Sequence, residues 1–159
     1  MRRRLFLLVM SIVSAMILGA GCSSSIGGST AKPSQEILRK STIGTDWQVY
    51  QIRLILPSGS SFPVLLKLAD GAKVDGYFYL EKGTNVDFSV NADSPLYRST
   101  VNESGKVASD RFSFTAAREN GNTYILQFSS AANSTEQQVI FLEVVFPVKG
   151  SIFVPLESK

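Results

Sequence analysis

Cys22 is the single cysteine of the chain, and histidine is absent. Without an imidazole, the Ser-His-Asp and Cys-His arrangements disappear, together with the commonest metal ligand and the side chain best matched to proton transfer near neutrality. One thiol builds neither a zinc–thiolate cluster nor an internal disulfide. No glycine-rich phosphate loop is present, because the glycines fall in turn-like clusters. Asp70, Asp75, Asp87, Asn91 and Asp93 offer oxygen ligands, but their spacing matches no EF-hand loop, and aspartate at turns ordinarily bonds the local backbone. A carboxylate pair for glycoside hydrolysis would have to face across a cleft, which spacing alone does not supply. The expected chemistry is binding rather than catalysis, with no cofactor and no metal. The candidates for it are Tyr77 and Tyr79 in "VDGYFYLE". Flat aromatic faces on a sheet stack sugars or anchor a protein partner. Tyrosine is also common in strands merely because it covers its cross-strand neighbours.

The position of Cys22 is itself informative. The chain opens "MRRRLFLLVMSIVSAMILGAGC", with Arg2, Arg3 and Arg4 ahead of an apolar run from Leu5 to Leu18. Small residues, Gly19 to Gly21, follow. This is the layout of a secretory signal, and the run is shorter than the ~20 apolar residues that span a bilayer. The segment resembles a bacterial lipoprotein signal, whose cysteine is diacylated and becomes the new N-terminus. The usual leucine three residues before the cysteine is replaced here by Gly19, with Leu18 one position further back. Ordinary export with cleavage near Gly21 would leave a free thiol, a liability in an oxidising compartment. Lipidation of Cys22 makes the sulfur an inert thioether. The expectation is an exported protein, held by lipid at the cell membrane or cell envelope and facing away from the cytoplasm.

Export also alters the charge balance. The whole chain has 16 Lys+Arg, 13 Asp+Glu and a net charge of +3. Three of those arginines belong to the signal, and the remainder is formally neutral. The apparent basicity is a matter of targeting and implies no nucleic-acid partner. Residues 22–45 begin "CSSSIGGSTAKPSQ" and read as a flexible tether, with a root-mean-square reach of ~25 Å for about 20 such residues. "EILRKS" has the composition for one helical turn.

From Asp46 the pattern changes. Short apolar runs alternate with turn clusters, including "PSGSS", "ADGAK", "EKGTN", "NADSP" and "RENGN". Regularly spaced short strands mark an all-β sandwich or barrel. Val74, Gly76, Phe78 and Leu80 share one face of a strand, with Asp75, Tyr77, Tyr79 and Glu81 on the other. Val86, Phe88 and Val90 alternate in the same way, as do Phe112 and Phe114. "EKGTN" and "ENGNT" are expected to close tight hairpins, since Asn120-Gly121 takes positive φ cheaply. "WQVYQIRLIL" and "QVIFLEVVFPV" are apolar on both faces in places and read as central strands. Trp47 is expected to pack against the domain base. The overall expectation is an antiparallel, jelly-roll-like β-sandwich of roughly seven to nine strands over 46–159, after a signal at 1–21 and a lipidated linker at 22–45.

"LKLADGAKVDGYFYLEKGTNVDFSVNAD", "DRFSFTAARENGNTYILQFSSAAN" and "QVIFLEVVF" together resemble the GOLD domain, known from lumenal parts of cargo receptors and from many bacterial and archaeal surface proteins. The matching elements are Gly76-Tyr77-Phe78, Val86-Asp87-Phe88, Phe112-Ser113-Phe114-Thr115-Ala116, and Gly121 with Tyr124. Their order carries the likeness, over about Leu66 to Phe146. The resemblance implies a jelly-roll sandwich used for protein binding. This chain departs from the cargo receptors in having no cysteine pair across the sheets and no coiled coil, so only the fold carries over.

Three functional expectations follow. The first is a lipid-anchored, non-enzymatic binding or adaptor module with a protein partner. The second is a carbohydrate-binding or glycan-active envelope protein, and the third an accessory subunit of a cell-surface complex. The sequons at Asn102 and Asn133 match N-glycosylation acceptors, but no modification is expected in a bacterial lipoprotein.

Overall fold

The computed structural model describes residues 31–93, 95–102 and 109–155. They form two five-stranded antiparallel sheets facing each other. The strands are β1 (Ser34–Ile43), β2 (Trp47–Leu56), β3 (Ser61–Lys67), β4 (Lys73–Lys82), β5 (Asn85–Asn91), β6 (Pro95–Asn102), β7 (Ser109–Thr115), β8 (Thr123–Ser129), β9 (Gln138–Pro147) and β10 (Ser151–Phe153). The sheet orders are β1-β2-β9-β4-β7 and β10-β3-β8-β5-β6.

Four nested pairings underlie this order. β2 pairs with β9, β3 with β8, β4 with β7 and β5 with β6. A long hairpin with those rungs, rolled so that alternate rungs fall in opposite sheets, is a jelly roll. β1 and β10 lie outside it, extending the two sheets beyond β2 and β3.

The core follows from alternation. Ile52, Leu54, Val74, Phe78, Ile140, Leu142 and Val144 of one sheet face Val64, Leu66, Phe88, Val90, Leu126 and Phe128 of the other, all essentially inaccessible to water. Each such side chain contributes about 1.5–3 kcal/mol on burial. Phe78 meets Phe88 at 4.8 Å between ring centroids and Phe128 at 5.3 Å. Gly76 shares their inward face, and a Cβ there would overlap the ring of Phe112. "WQVYQIRLIL" and "QVIFLEVVFPV" are central strands, as expected, and Pro147 ends β9.

The tether boundary, the helical turn and the two hairpins are corrected here. The segment read as a tether up to residue 45 becomes sheet at Ser34, and "EILRKS" is strand rather than helical turn. β1 has little one-sided alternation because most of its side chains are exposed on both faces of an edge strand. It makes ten strands among the described residues, of which nine, β2 to β10, fall within 46–159 as expected. Neither "EKGTN" nor "ENGNT" closes a hairpin. β4 is flanked by β9 and β7, which leaves no edge for β5; β8 is flanked by β3 and β5, which leaves none for β7. Both links therefore cross from one sheet to the other. Positive φ at Gly83 and Gly121 serves a corner as well as a reversal.

Candidate functional site

β4 presents Asp75, Tyr77 and Tyr79 on the outer face of its sheet, because Val74, Gly76 and Phe78 point inward. The register adds the neighbours. Tyr77 lies between Arg111 of β7 and Glu143 of β9, and Tyr79 between Ser109 and Phe141. β2 extends the same rows with Gln51 beside Glu143 and Arg53 beside Phe141.

The two tyrosines expected to stand together do so, with centroids 6.5 Å apart and planes 14° from parallel. They are joined by Phe141, which the sequence reading had not singled out. Its ring lies 4.9 Å from that of Tyr79 at 22°, and 5.9 Å from that of Tyr77 at 36°. At 4.9 Å near-parallel rings overlap; side by side in one plane they could not approach so closely. Phe141 is only 9 % exposed, although it sits on the outer face. The tyrosines thus cover Phe141 and turn toward solvent what remains of their own surfaces.

Beside this aromatic wall is an open depression of about 620 Å³, bordered by Asp75, Tyr77, Arg111, Ser113, Glu143 and Val145. Glu143 is held in place by the side-chain amide of Gln51, which donates to its Oε2 at 2.6 Å. Burial pushes the Tyr77 hydroxyl pKa up, and the charges of Glu143 and Tyr79 add to that, with Arg111 opposing. The hydroxyl therefore stays protonated at neutral pH and can donate. Asp75 is paired with Lys73 at 3.3 Å on the exposed rim. Below Tyr79, Arg53 binds Glu81 through Nε at 2.6 Å and reaches Glu36 of β1 at 3.2 Å. A bulge between Leu80 and Lys82 accompanies Glu81 at this position.

The oxygen ligands considered for calcium are not gathered. Asp70 accepts from the backbone of Arg118 at a loop, Asp75 borders the depression on the first sheet, and Asp87 and Asn91 lie on the second sheet. Among the described residues no group of three or more potential ligands forms a metal site. No helix among them is long and apolar enough to cross a membrane. Cys22 lies outside the described residues.

No family model and no curated protein matches the chain. Solved structures similar to it include an uncharacterized conserved protein with a double-stranded β-helix domain from Klebsiella pneumoniae subsp. pneumoniae MGH 78578. That likeness is at 12 % identity and a TM-score of 0.45, over 81 % of this chain and 89 % of that one. A structure described as "CBM4 structure and function" aligns at 9 % identity and a TM-score of 0.36, over 76 % of this chain and 78 % of that one. The polyketide cyclase RemF of Streptomyces resistomycificus aligns at 12 % identity and a TM-score of 0.34, over 80 % and 74 %. The jelly-roll assignment stands on the strand pairing itself.

Proposed function

We propose that the chain is an exported, non-enzymatic binding module, held at the membrane by lipid on Cys22, that recruits a protein partner to the outer face of the β1-β2-β9-β4-β7 sheet. One observation carries the choice of partner: the rings of Tyr77, Tyr79 and Phe141 pack against one another beside a depression edged by Arg111. Sugar stacking uses a ring face left open and flat, whereas these faces are largely spent on mutual contact. Residues that dominate protein interfaces are enriched in tyrosine and arginine, and here both border one depression that a partner could fill and desolvate. The lack of histidine removes the side chain best matched to proton transfer near neutrality, which favours the binding reading. Kinship with GOLD domains is part of this proposal and rests on the order of the sequence elements.

Site-specific photo-crosslinking in the producing cell tests it. A crosslinker replacing Ser113, at the depression, should give one discrete protein adduct, and one replacing Ser89, on the opposite sheet, should not. Tyr77→Ala and Arg111→Ala should each weaken the adduct at least tenfold. Equal labelling from both positions would refute the assignment. Retention on a glycan array, abolished by Tyr77→Ala, would establish the carbohydrate reading in its place.

A further inference from the structure

The five exposed large hydrophobic side chains among the described residues are Ile37, Leu38, Ile43, Val148 and Phe153. None lies on a solvent-facing part of the eight-stranded roll. Ile37, Leu38 and Ile43 are on β1, Phe153 is on β10, and Val148 is in the turn between β9 and β10. β1 and β10 extend the two sheets on the same side of the sandwich, next to β2 and β3. They meet there, since the Gln35 amide donates to the carbonyl of Pro155, just past β10, at 3.2 Å. The exposed apolar surface is thus gathered on one flank.

The same flank is basic. Lys32, Arg39, Lys40, Lys67 and Lys149 lie along it, against Glu36 and Asp46. Glu36 is already engaged by Arg53. Lys40 and Lys67 lay their charges 5.3 Å from the ring centroids of Tyr50 and Phe153, so apolar and cationic groups alternate rather than segregate. In a chain that is neutral once its signal is removed, this is a local excess of positive charge. Apolar side chains interleaved with lysine and arginine suit the boundary between acyl chains and anionic headgroups.

From this we infer that the β1/β10 flank lies on the surface of an anionic phospholipid bilayer, with the domain on its side. The inference rests on the proposed lipid anchor at Cys22. With the sheet beginning at Ser34, only residues 23–33 separate the anchor from β1. Eleven residues span at most about 40 Å whatever path they take, which keeps β1 near the bilayer surface. The depression at Tyr77 and Arg111 is on the β4 and β7 half of its sheet, and β7 is the edge opposite β1. Four strand spacings, about 19 Å, separate those edges. A domain lying on its β1 side holds that depression clear of the headgroups.

Trp47, the single tryptophan, tests the orientation. It pairs with Ile43 at the end of β1 farthest from Ser34. A domain standing on its anchored end would hold Trp47 roughly 30 Å from the bilayer, given the rise of an extended strand. The mature lipid-bearing protein is reconstituted into phosphatidylethanolamine–phosphatidylglycerol vesicles with brominated acyl chains, and its tryptophan fluorescence is compared with that in unbrominated vesicles. The expected result is loss of about half the signal. Phosphatidylcholine vesicles should give less loss, and the combined Ile37→Ser, Ile43→Ser and Phe153→Ser variant should give at most a fifth of it. Because these side chains are exposed, the variant should keep its β-type circular dichroism and its anchorage. Full fluorescence from protein that carries lipid on Cys22 by mass spectrometry would overturn this inference alone. An unmodified Cys22 would overturn both it and the anchor. Sedimentation of the detergent-solubilised protein as a dimer, with β1 amides protected from exchange there as in vesicles, would assign the flank to a second copy instead.

Discussion

Gln138 shows how much one polar side chain can decide. It is fully buried at the start of β9. Its Oε1 accepts from the backbone of Thr84 at 2.9 Å and of Asn85 at 3.1 Å. Its Nε2 donates to Ser134 Oγ at 2.7 Å and to the carbonyl of Glu136 at 2.9 Å. The amide thus joins the β4–β5 corner to the loop before β9, and it occupies the space where a side chain at Gly83 would begin. Gln138→Leu keeps a similar volume but leaves the backbone donors of Thr84 and Asn85 without their partner, while Ser134 Oγ and the Glu136 carbonyl keep the 2.8 Å bond between them. A buried group left unmatched costs about 1–3 kcal/mol, so the variant should lose about 2–4 kcal/mol of stability, read as a lower midpoint in urea unfolding. An unchanged midpoint would show that water enters and replaces the amide. Nothing in the local sequence around Gln138 points to Gly83, more than fifty positions earlier. The corner they share exists only once β4 and β9 pair. Tyr77 and Tyr79 were legible as outward neighbours because Phe78 between them is apolar. Phe141 alternates just as plainly with Ile140 and Leu142, but its place beside the tyrosines depends on which strand adjoins β4.

At the scale of elements, the strands with one dry face were readable and the edge strand was not. β5 buries Val86, Phe88 and Val90 and exposes Asp87 between them, so its period of two is visible in the sequence. β1 pairs with β2 along its length but buries little of its own, and a bulge between Ile37 and Arg39 interrupts its register. Bulges and charges are common on edge strands because they discourage further pairing. β1 nevertheless covers one side of β2, which otherwise carries core residues at an open edge. A chain beginning at Asp46 therefore lacks a strand that the domain uses. It should unfold at a urea midpoint at least 1 M lower than a chain beginning at Lys32, if each lost pair removes about 1 kcal/mol and m-values are ordinary. Equal midpoints would restore the boundary at residue 46. The two misread hairpins have a common cause. A glycine at positive φ reverses or bends the chain with equal ease, and occupancy of the neighbouring edges decides which.

For the molecule as a whole, the two sheets are also tied by a polar contact at the edges opposite β1 and β10. Tyr97 of β6 donates its hydroxyl to Asp110 of β7 at 2.7 Å. Burial pushes the Asp110 carboxyl up, but hydrogen bonds from Ser99, Tyr97 and the backbone of Arg111 outweigh it and hold the carboxyl below its ordinary value. The folded state thus favours the carboxylate. Its contribution is full above the unfolded pKa of aspartate and is lost as pH falls through the lower folded value. Tyr97 shifts upward, chiefly through its bond to Asp110, so its contribution is present below the ordinary tyrosine range and is lost as pH rises through the raised value. Stability should therefore be highest between these limits, and Asp110→Asn should flatten the acid limb of unfolding midpoint against pH. An acid limb unchanged in that variant would remove the contact from the account. An all-β class, the inward rows of the longer strands and the outward pair Tyr77 and Tyr79 are written in the order of residues, because burial on one face imposes a period that is local along the chain. The strand order, the partners of Tyr77 and Gln138, and the gathering of exposed apolar side chains on one flank emerge with the assembled sheets, because each joins residues dozens of positions apart and becomes definite only when edges are filled.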